Sequence, residues 1–109
     1  MASEVLKRAY KATLTNAETV LLNGVDGHTY TILSITLCET AGAAETFDLL
    51  IDDGGGGSDT YIYNTQALGA NETFEHTGKF VMEATDHLSI QTASASNIDV
   101  CVSYLLQTL

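Results

Sequence analysis

Short runs of alternating apolar and polar residues, separated by Gly, Asn and Asp, follow one another along most of the chain. The clearest are Thr29–Glu39, rich in β-branched residues, and Glu45–Asp52, in which Phe47, Leu49 and Ile51 alternate with polar side chains. A period of two indicates half-buried β-strands, and its recurrence about every ten residues is typical of a sandwich or barrel. Further strands are predicted at Tyr10–Leu14, Glu18–Leu22, Asp59–Gln66, Asn71–His76, Lys79–Glu83, Asp86–Thr92 and Asn97–Leu106.

These eight or nine short strands predict an all-β, antiparallel β-sandwich. No segment has the pattern of a crossover helix, which parallel strands would require. A jelly-roll-like sandwich is the main prediction, and an immunoglobulin-like one is the alternative. The 109 residues fit one domain, predicted over residues 12–109. Residues 1–11 are predicted to form an N-terminal arm or a short helix over Ser3–Ala9.

The alternation also predicts which side chains share a face. In Thr29–Glu39 it places Leu33, Ile35 and Leu37 together and Ile32 opposite them. In the same way, Tyr61 and Tyr63 are expected to share one face of their strand.

Charge is distributed unevenly along the chain. The net charge is −10, yet three of the four bases, Lys7, Arg8 and Lys11, lie close together near the N-terminus. An acidic body repels phosphate backbones, so a nucleic-acid-binding role is not expected. The basic segment is interpreted either as an arm that docks on an acidic neighbour or as a solvated terminus.

Several features suggest contacts between copies of the chain. The chain contains no proline, a residue that commonly prevents exposed strand edges from pairing with other chains. Either repulsion between acidic residues or cover by neighbouring subunits must therefore protect the edges. Leu50 interrupts the polar side of its strand, and the chain ends in an apolar run. The candidate interface residues are Lys7, Arg8, Lys11, Leu50, Tyr104, Leu105, Leu106 and Leu109.

The sequence offers little for catalysis or metal binding. Cys38 and Cys101 lack a metal-site spacing and are predicted to be buried reduced thiols, with a cross-strand disulfide as the alternative. The loop Asp52–Asp59 lacks the calcium-loop register and is predicted to be a hairpin connection, with a bound cation as the alternative. The three histidines are dispersed, and no nucleophile motif occurs. Neither an enzyme nor a cofactor is therefore expected.

The order of strands and turns resembles a family of known proteins. Thr29–Thr40, a small-residue turn at Ala41–Ala44 and the strand Glu45–Ile51 lead into the Gly54–Gly57 loop. The pattern ends with three further motifs, at Leu68–Thr73, Asp86–Ile90 and Ala95–Val102. Together these segments resemble the small β-sandwich virion proteins of tailed bacteriophages, over most of residues 13–105.

The resemblance implies a capsid decoration or cement protein, or an accessory piece of the tail or neck. It also implies a symmetric homo-oligomer, commonly a homotrimer in such proteins, bound to the major capsid protein or to other virion proteins. Its place would be the virion, after synthesis in the host cytoplasm, with no membrane partner. The alternative is a tail or fibre module that binds a host-surface carbohydrate, with Tyr30, Tyr61, Tyr63 and His76 as a stacking surface.

Overall fold

The computed structural model describes residues 3–12, 14–52, 59–94 and 98–108, and these residues form nine β-strands. The strands are β1 (Ser3–Lys11), β2 (Thr19–Asn23), β3 (His28–Glu39), β4 (Glu45–Asp52), β5 (Thr60–Leu68), β6 (Thr73–His76), β7 (Phe80–Met82), β8 (His87–Thr92) and β9 (Ile98–Thr108). No helix long and apolar enough to cross a membrane occurs in this part of the chain.

The strands form two antiparallel sheets packed as a sandwich, which confirms the predicted fold class. Sheet A has the order β1-β9-β3-β6, and β7 also pairs with β3, beyond the end of β6. Sheet B has the order β2-β8-β4-β5. The chain passes repeatedly between the sheets, and β9 returns to lie between β1 and β3. This is the arrangement of a jelly roll.

The core lies between the inner faces of the two sheets. The central strands β3, β4, β8 and β9 contribute most of the fully buried side chains, because each is flanked by strands on both sides and covered by the opposite sheet. The largest fully buried side chains of the core cluster are Phe47, Leu14, Ile32, Ile35, Leu37, Leu49, Leu68, Met82, Leu88, Ile90 and Ile98. Edge strands contribute less, and β1 adds little more than Ala9.

The short helix predicted over Ser3–Ala9 is wrong. Ser3–Lys11 is the extended strand β1, paired with β9 along its whole length from Ser3↔Thr108 to Lys11↔Val100. The strand predicted at Tyr10–Leu14 is only partly correct, because β1 ends at Lys11 and Leu14 is a buried residue of the connection between β1 and β2. The N–H of Leu14 donates to the carbonyl oxygen of Ile98 at 2.9 Å.

A β-bulge in β3 changes the predicted faces of that strand. Ile32 lies opposite Tyr104 and Ser34 opposite Ser103, so Leu33 is an extra residue without a partner on β9. The bulge places Ile32 in the core with Ile35 and leaves Leu33 outside the core cluster. The predicted grouping of Leu33 with Ile35, opposite Ile32, is therefore wrong.

Two bulges in β5 separate the tyrosines predicted to share a face. Tyr61 lies opposite Leu50, whereas Tyr63 lies opposite Leu49, so Ile62 is an extra residue in β5. Tyr63 packs against the core, and Tyr61 points away from it with 49% of its surface exposed. A second shift follows near Thr65, whose φ is +54° and whose N–H donates to Oδ1 of Asp48 at 2.6 Å.

An aromatic cluster packs between β4, β5 and β6. Phe74 makes edge contacts with Phe47 and Tyr63 at centroid distances of 5.4 and 5.0 Å. Nε2 of His76 lies 2.5 Å from the carbonyl oxygen of Gly78, which can only accept, so Nε2 carries the proton. Nδ1 of His76 is hydrogen-bonded to the hydroxyl of Tyr63 at 2.8 Å. Hydrogen bonds at both ring nitrogens therefore hold His76 in the cluster.

A buried carboxylate joins two turns at one end of the sandwich. Oε1 of Glu39 accepts from the backbone N–H of Asn71 at 3.0 Å and from those of Gly42 and Ala43, and Oε2 accepts from Ala41 at 2.9 Å. The hydrogen bond from Asn71, supported by those from the 41–43 turn, holds the pKa of Glu39 below its ordinary value although burial acts to raise it.

We expect Glu39→Gln to lower stability at pH 7 and to flatten its pH dependence. Because the folded-state pKa of Glu39 is lowered, its contribution is present above the unfolded-state pKa of about 4.3 and is lost as pH falls through the folded-state value. The amide retains one acceptor oxygen but carries no charge, so the contacts with both turns weaken. Urea unfolding between pH 7 and pH 3 measures the effect.

The control is Glu18→Gln, which removes the same charge from an exposed loop position. It should keep the urea midpoint of the wild type at pH 7. Equal midpoints for the Glu39→Gln and Glu18→Gln variants would show that the hydrogen bonds of Glu39 do not stabilise the fold.

Candidate assembly surface

The outer face of sheet A, the face directed away from sheet B, carries an unusual set of side chains. Leu6, Leu105, Thr31 and Val81 are directly opposite one another across β1, β9, β3 and β7. We refer to these four residues as the cross-strand row. Leu6 is 72% exposed and Val81 52% exposed. An antiparallel sheet facing water normally carries polar side chains on that side, so this uncharged row makes the face a candidate contact surface.

Most of the remaining outer face of sheet A is also uncharged. The row next to the cross-strand row contains Ser103 and Ser34, and the bulged Leu33 lies beside them in the wall of an open groove of about 490 Å³. Among the residues that the structure describes, the charged side chains on this face are Glu4, Arg8, Glu75 and Asp99. The first three lie on edge strands, and Asp99 lies near the start of the central strand β9.

Both cysteines lie on this outer face. Cys101 is opposite Thr36 and Cys38 is opposite Asp99, so the thiols are diagonal neighbours on β9 and β3. Diagonal Cα atoms are about 7–8 Å apart, beyond the usual span of a disulfide. Both thiols are free and half-buried in a groove of about 430 Å³ whose wall includes Tyr10. The prediction that they are buried core thiols is therefore wrong.

The three basic residues of β1 do not form one patch. Arg8 is opposite Ser103 and lies on the outer face of sheet A, with its guanidinium carbon 5.9 Å from the ring centroid of Tyr10. Lys7 and Lys11 are opposite the inward residues Tyr104 and Val100, so they project to the inner side of the sheet. They remain exposed there, because β1 lies at the edge of sheet A.

The other predicted interface residues have different environments. Leu50 is 1% exposed within the single chain, so it is unavailable for the predicted contact with another subunit. Tyr104 is buried against Tyr30 at a centroid distance of 5.7 Å, and Leu106 packs partly against the core. Leu105 lies in the cross-strand row.

Leu109 and residues 53–58 of the predicted Asp52–Asp59 loop lie outside the described residues. Neither the terminal contact predicted for Leu109 nor the cation alternative for the loop is tested by the structure.

Potential ligand-binding side chains are dispersed. Among the residues that the structure describes, no group of three or more His, Cys, Asp or Glu side chains could hold a metal ion. The tyrosines considered for carbohydrate stacking do not share a surface, because Tyr30 is buried, Tyr63 is in the aromatic cluster and Tyr61 faces outward from sheet B. Of the cross-strand row, the sequence singled out Leu105 but not Leu6, Thr31 or Val81, since the four residues come from distant segments that only strand pairing aligns.

No protein-family model and no curated protein matches the chain. Among solved structures, a chain of Bacillus endospore appendages, described as a novel family of disulfide-linked pili, superimposes with a TM-score of 0.57 at 13% identity. That match covers 99% of this chain and 89% of the other.

Two chains from infectious bursal disease virus are similarly close in fold. One, from the T13 particle, has a TM-score of 0.58 at 9% identity and covers 97% of this chain. The other, from the Gx strain, has a TM-score of 0.57 at 9% identity and covers 100%. This chain spans about a third of each viral chain, 31% and 32%. At these identities the three matches establish a shared fold and nothing more specific.

Proposed function

We propose that this chain is a non-enzymatic structural subunit of a bacteriophage virion, a decoration or cement protein that docks on the capsid shell. The observation that carries the proposal is the uncharged cross-strand row on the outer face of sheet A, in a chain of net charge −10. Docking would bury Leu6 and Val81, which the single chain leaves exposed.

The distribution of charge supports the same orientation. With sheet A on the shell, the outer face of sheet B, which carries Asp48 and Asp52, would be directed to solvent. A large net charge of one sign keeps assembled particles apart. Many copies on one shell would also combine individually weak contacts through multivalency.

The fold supports a role in an assembly. The three solved chains described above, which share it, come from virus particles and from pili. The partners proposed here are further copies of the chain and the major capsid protein, with no cofactor, nucleic acid or membrane. The trimer implied by the family resemblance is not tested by the structure, and the two-fold pairing inferred below is an alternative to it.

The alternative, a tail or fibre module that binds a host-surface carbohydrate, gains no support from the tyrosines. A sugar needs aromatic rings arranged on one accessible surface, and Tyr30, Tyr61 and Tyr63 lie in three different environments. A tail location that uses the outer face of sheet A against another virion protein is equally compatible with the geometry. Binding to purified shells and to purified tails distinguishes the two locations.

The test is Val81→Glu, which puts a carboxylate into the cross-strand row on an exposed strand. We expect wild-type protein to bind saturably to bare shells assembled from the major capsid protein of the encoding phage. We expect Val81→Glu to weaken this binding at least about tenfold, because the new charge would lose its hydration in the contact. Cosedimentation of labelled protein with shells measures it.

The matched control is Val20→Glu, the same change on β2 at a site 40% exposed on the outer face of sheet B. It should leave shell binding unchanged. Wild-type protein that binds neither shells nor tails would overturn the virion role. Equal weakening by both substitutions would overturn the choice of sheet A.

A further inference from the structure

Among the residues that the structure describes, β1 is a long, regular edge strand with no strand paired to one of its sides. Its nine residues pair with β9 without a register shift, and it is the terminal strand of sheet A. The other edges are short or irregular: β2 has five residues and a bulge, β5 has two bulges, and β6 and β7 have four and three residues. A regular open edge offers a row of unpaired N–H and C=O groups to another strand.

The residues of β1 are complementary to a second copy of β1 in one register. When two copies of a strand pair antiparallel about a two-fold axis perpendicular to the sheet, each residue lies opposite a residue whose side chain points to the same face of the sheet. With Leu6 opposite Leu6, Glu4 of each copy lies opposite Arg8 of the other, and Val5 lies opposite Lys7. If the two-fold axis passed through Lys7 or Arg8 instead, the two copies of that residue would lie directly opposite each other. Like charges in this position are destabilising.

The side chains that this register would use are accessible. Leu6 and Val5 are 72% and 48% exposed, and Arg8 is exposed beside Tyr10. Nε2 of Gln107 donates a hydrogen bond of 3.3 Å to the Glu4 carboxylate on the exposed surface of the sheet. Pairing would bury the two leucines and bring together two pairs of opposite charges.

The charge of β1 also favours this edge as the meeting point of two acidic molecules. Ser3–Lys11 carries three bases and one acid, whereas the whole chain has a net charge of −10. Copies that meet along β1 interpose positive charge between their acidic bodies, so their mutual repulsion is smallest in this orientation.

We propose that two copies of this chain pair antiparallel through β1, with Leu6 opposite Leu6, and join their A sheets into one continuous sheet. The two-fold axis is perpendicular to the sheet, so both outer faces lie on the same side. The two cross-strand rows then meet at Leu6 and form one row across both copies. The inference concerns the free protein and is independent of the proposed docking on a shell.

The test is charge reversal at the proposed pair, followed by multi-angle light scattering over roughly 1–100 μM protein without shells. We expect the wild type to be dimeric in this range. Arg8→Glu replaces both Glu4–Arg8 pairs of the dimer by pairs of negative charges, and Glu4→Arg replaces both by pairs of positive charges. Each single variant should therefore weaken the dimer at least about tenfold. The double variant Glu4→Arg/Arg8→Glu restores opposite charges and should return to within about threefold of the wild type.

The matched control is Lys11→Glu, which makes the same change of charge on β1 outside the paired residues 3–9. It lowers the positive charge of β1 by the same amount without changing the Glu4–Arg8 pairs, so it should weaken the dimer much less than Arg8→Glu, and circular dichroism of each variant checks that the fold is intact. A monomeric or trimeric wild type, or a double variant no better than the single ones, would overturn the proposed pairing. Since no shell is present, a failure here is distinguishable from a failure of shell binding.

Discussion

Replacement of Phe47 by alanine is expected to destabilise the fold by about 3–5 kcal/mol. Phe47 lies on the central strand β4, is 1% exposed, and contacts Phe74 and Tyr63 edge to face. The substitution removes the buried ring from the centre of the aromatic cluster and leaves a cavity that the rigid sheets can fill only partly. Small domains have only about 5–15 kcal/mol of stability in total, so this variant should be close to unfolding.

Urea unfolding followed by circular dichroism measures the change. Phe47→Leu keeps most of the apolar volume and should cost less than Phe47→Ala. Val25→Ala, at a loop position 48% exposed, is the surface control and should stay within about 0.5 kcal/mol of the wild type. A loss of under about 1 kcal/mol for Phe47→Ala would show that the cluster does not hold the sheets together.

Gly24→Ala is the second substitution expected to have a large effect, about 2–4 kcal/mol of destabilisation. Gly24 follows β2, and its N–H donates to the carbonyl oxygen of Asp86 at 2.7 Å. A methyl group there would overlap the backbone oxygen of Glu83 and approach that of Asp86 to 2.8 Å. Both obstacles are main-chain atoms in the turn between β7 and β8, so the two segments would have to separate.

Gly27→Ala is the matched control. Gly27 has a φ of +82° and no atom within 4 Å of the added methyl, so alanine there would cost only backbone strain of about 1–2 kcal/mol. Thermal unfolding of both variants should place the midpoint of Gly24→Ala below that of Gly27→Ala. The reverse order would contradict the close approach of the β2 end to the turn after β7.

The sequence predicted the β-sandwich and most of its strands, because the signal for a half-buried strand is local. The predicted strand Glu45–Asp52 has the bounds of β4, and Thr29–Glu39 differs from β3 only by His28. In both segments the alternation of apolar and polar residues lies within the segment itself, so the strand can be predicted without knowing which strand it pairs with. The concentration of positive charge near the N-terminus was likewise readable from the chain alone.

Face assignments failed where bulges interrupt the alternation. One extra residue in β3 exchanges the environments of Ile32 and Leu33, and one in β5 separates Tyr61 from Tyr63. A bulge is a property of two paired strands, so no count along a single strand detects it. The burial of Leu50 and the surface position of the cysteines also follow from neighbours that are distant in sequence.

The sequence by itself determined the class of the fold, the approximate strands and the uneven charge. The tertiary structure decided that Ser3–Lys11 is a strand, since its partner β9 begins at Ile98, far along the chain. Strand pairing also aligned Leu6, Leu105, Thr31 and Val81 into the cross-strand row and left β1 as the regular open edge. The physical reason is that local periodicity fixes the direction of side chains within one strand, whereas a surface depends on register between strands, which only the packed sheets define.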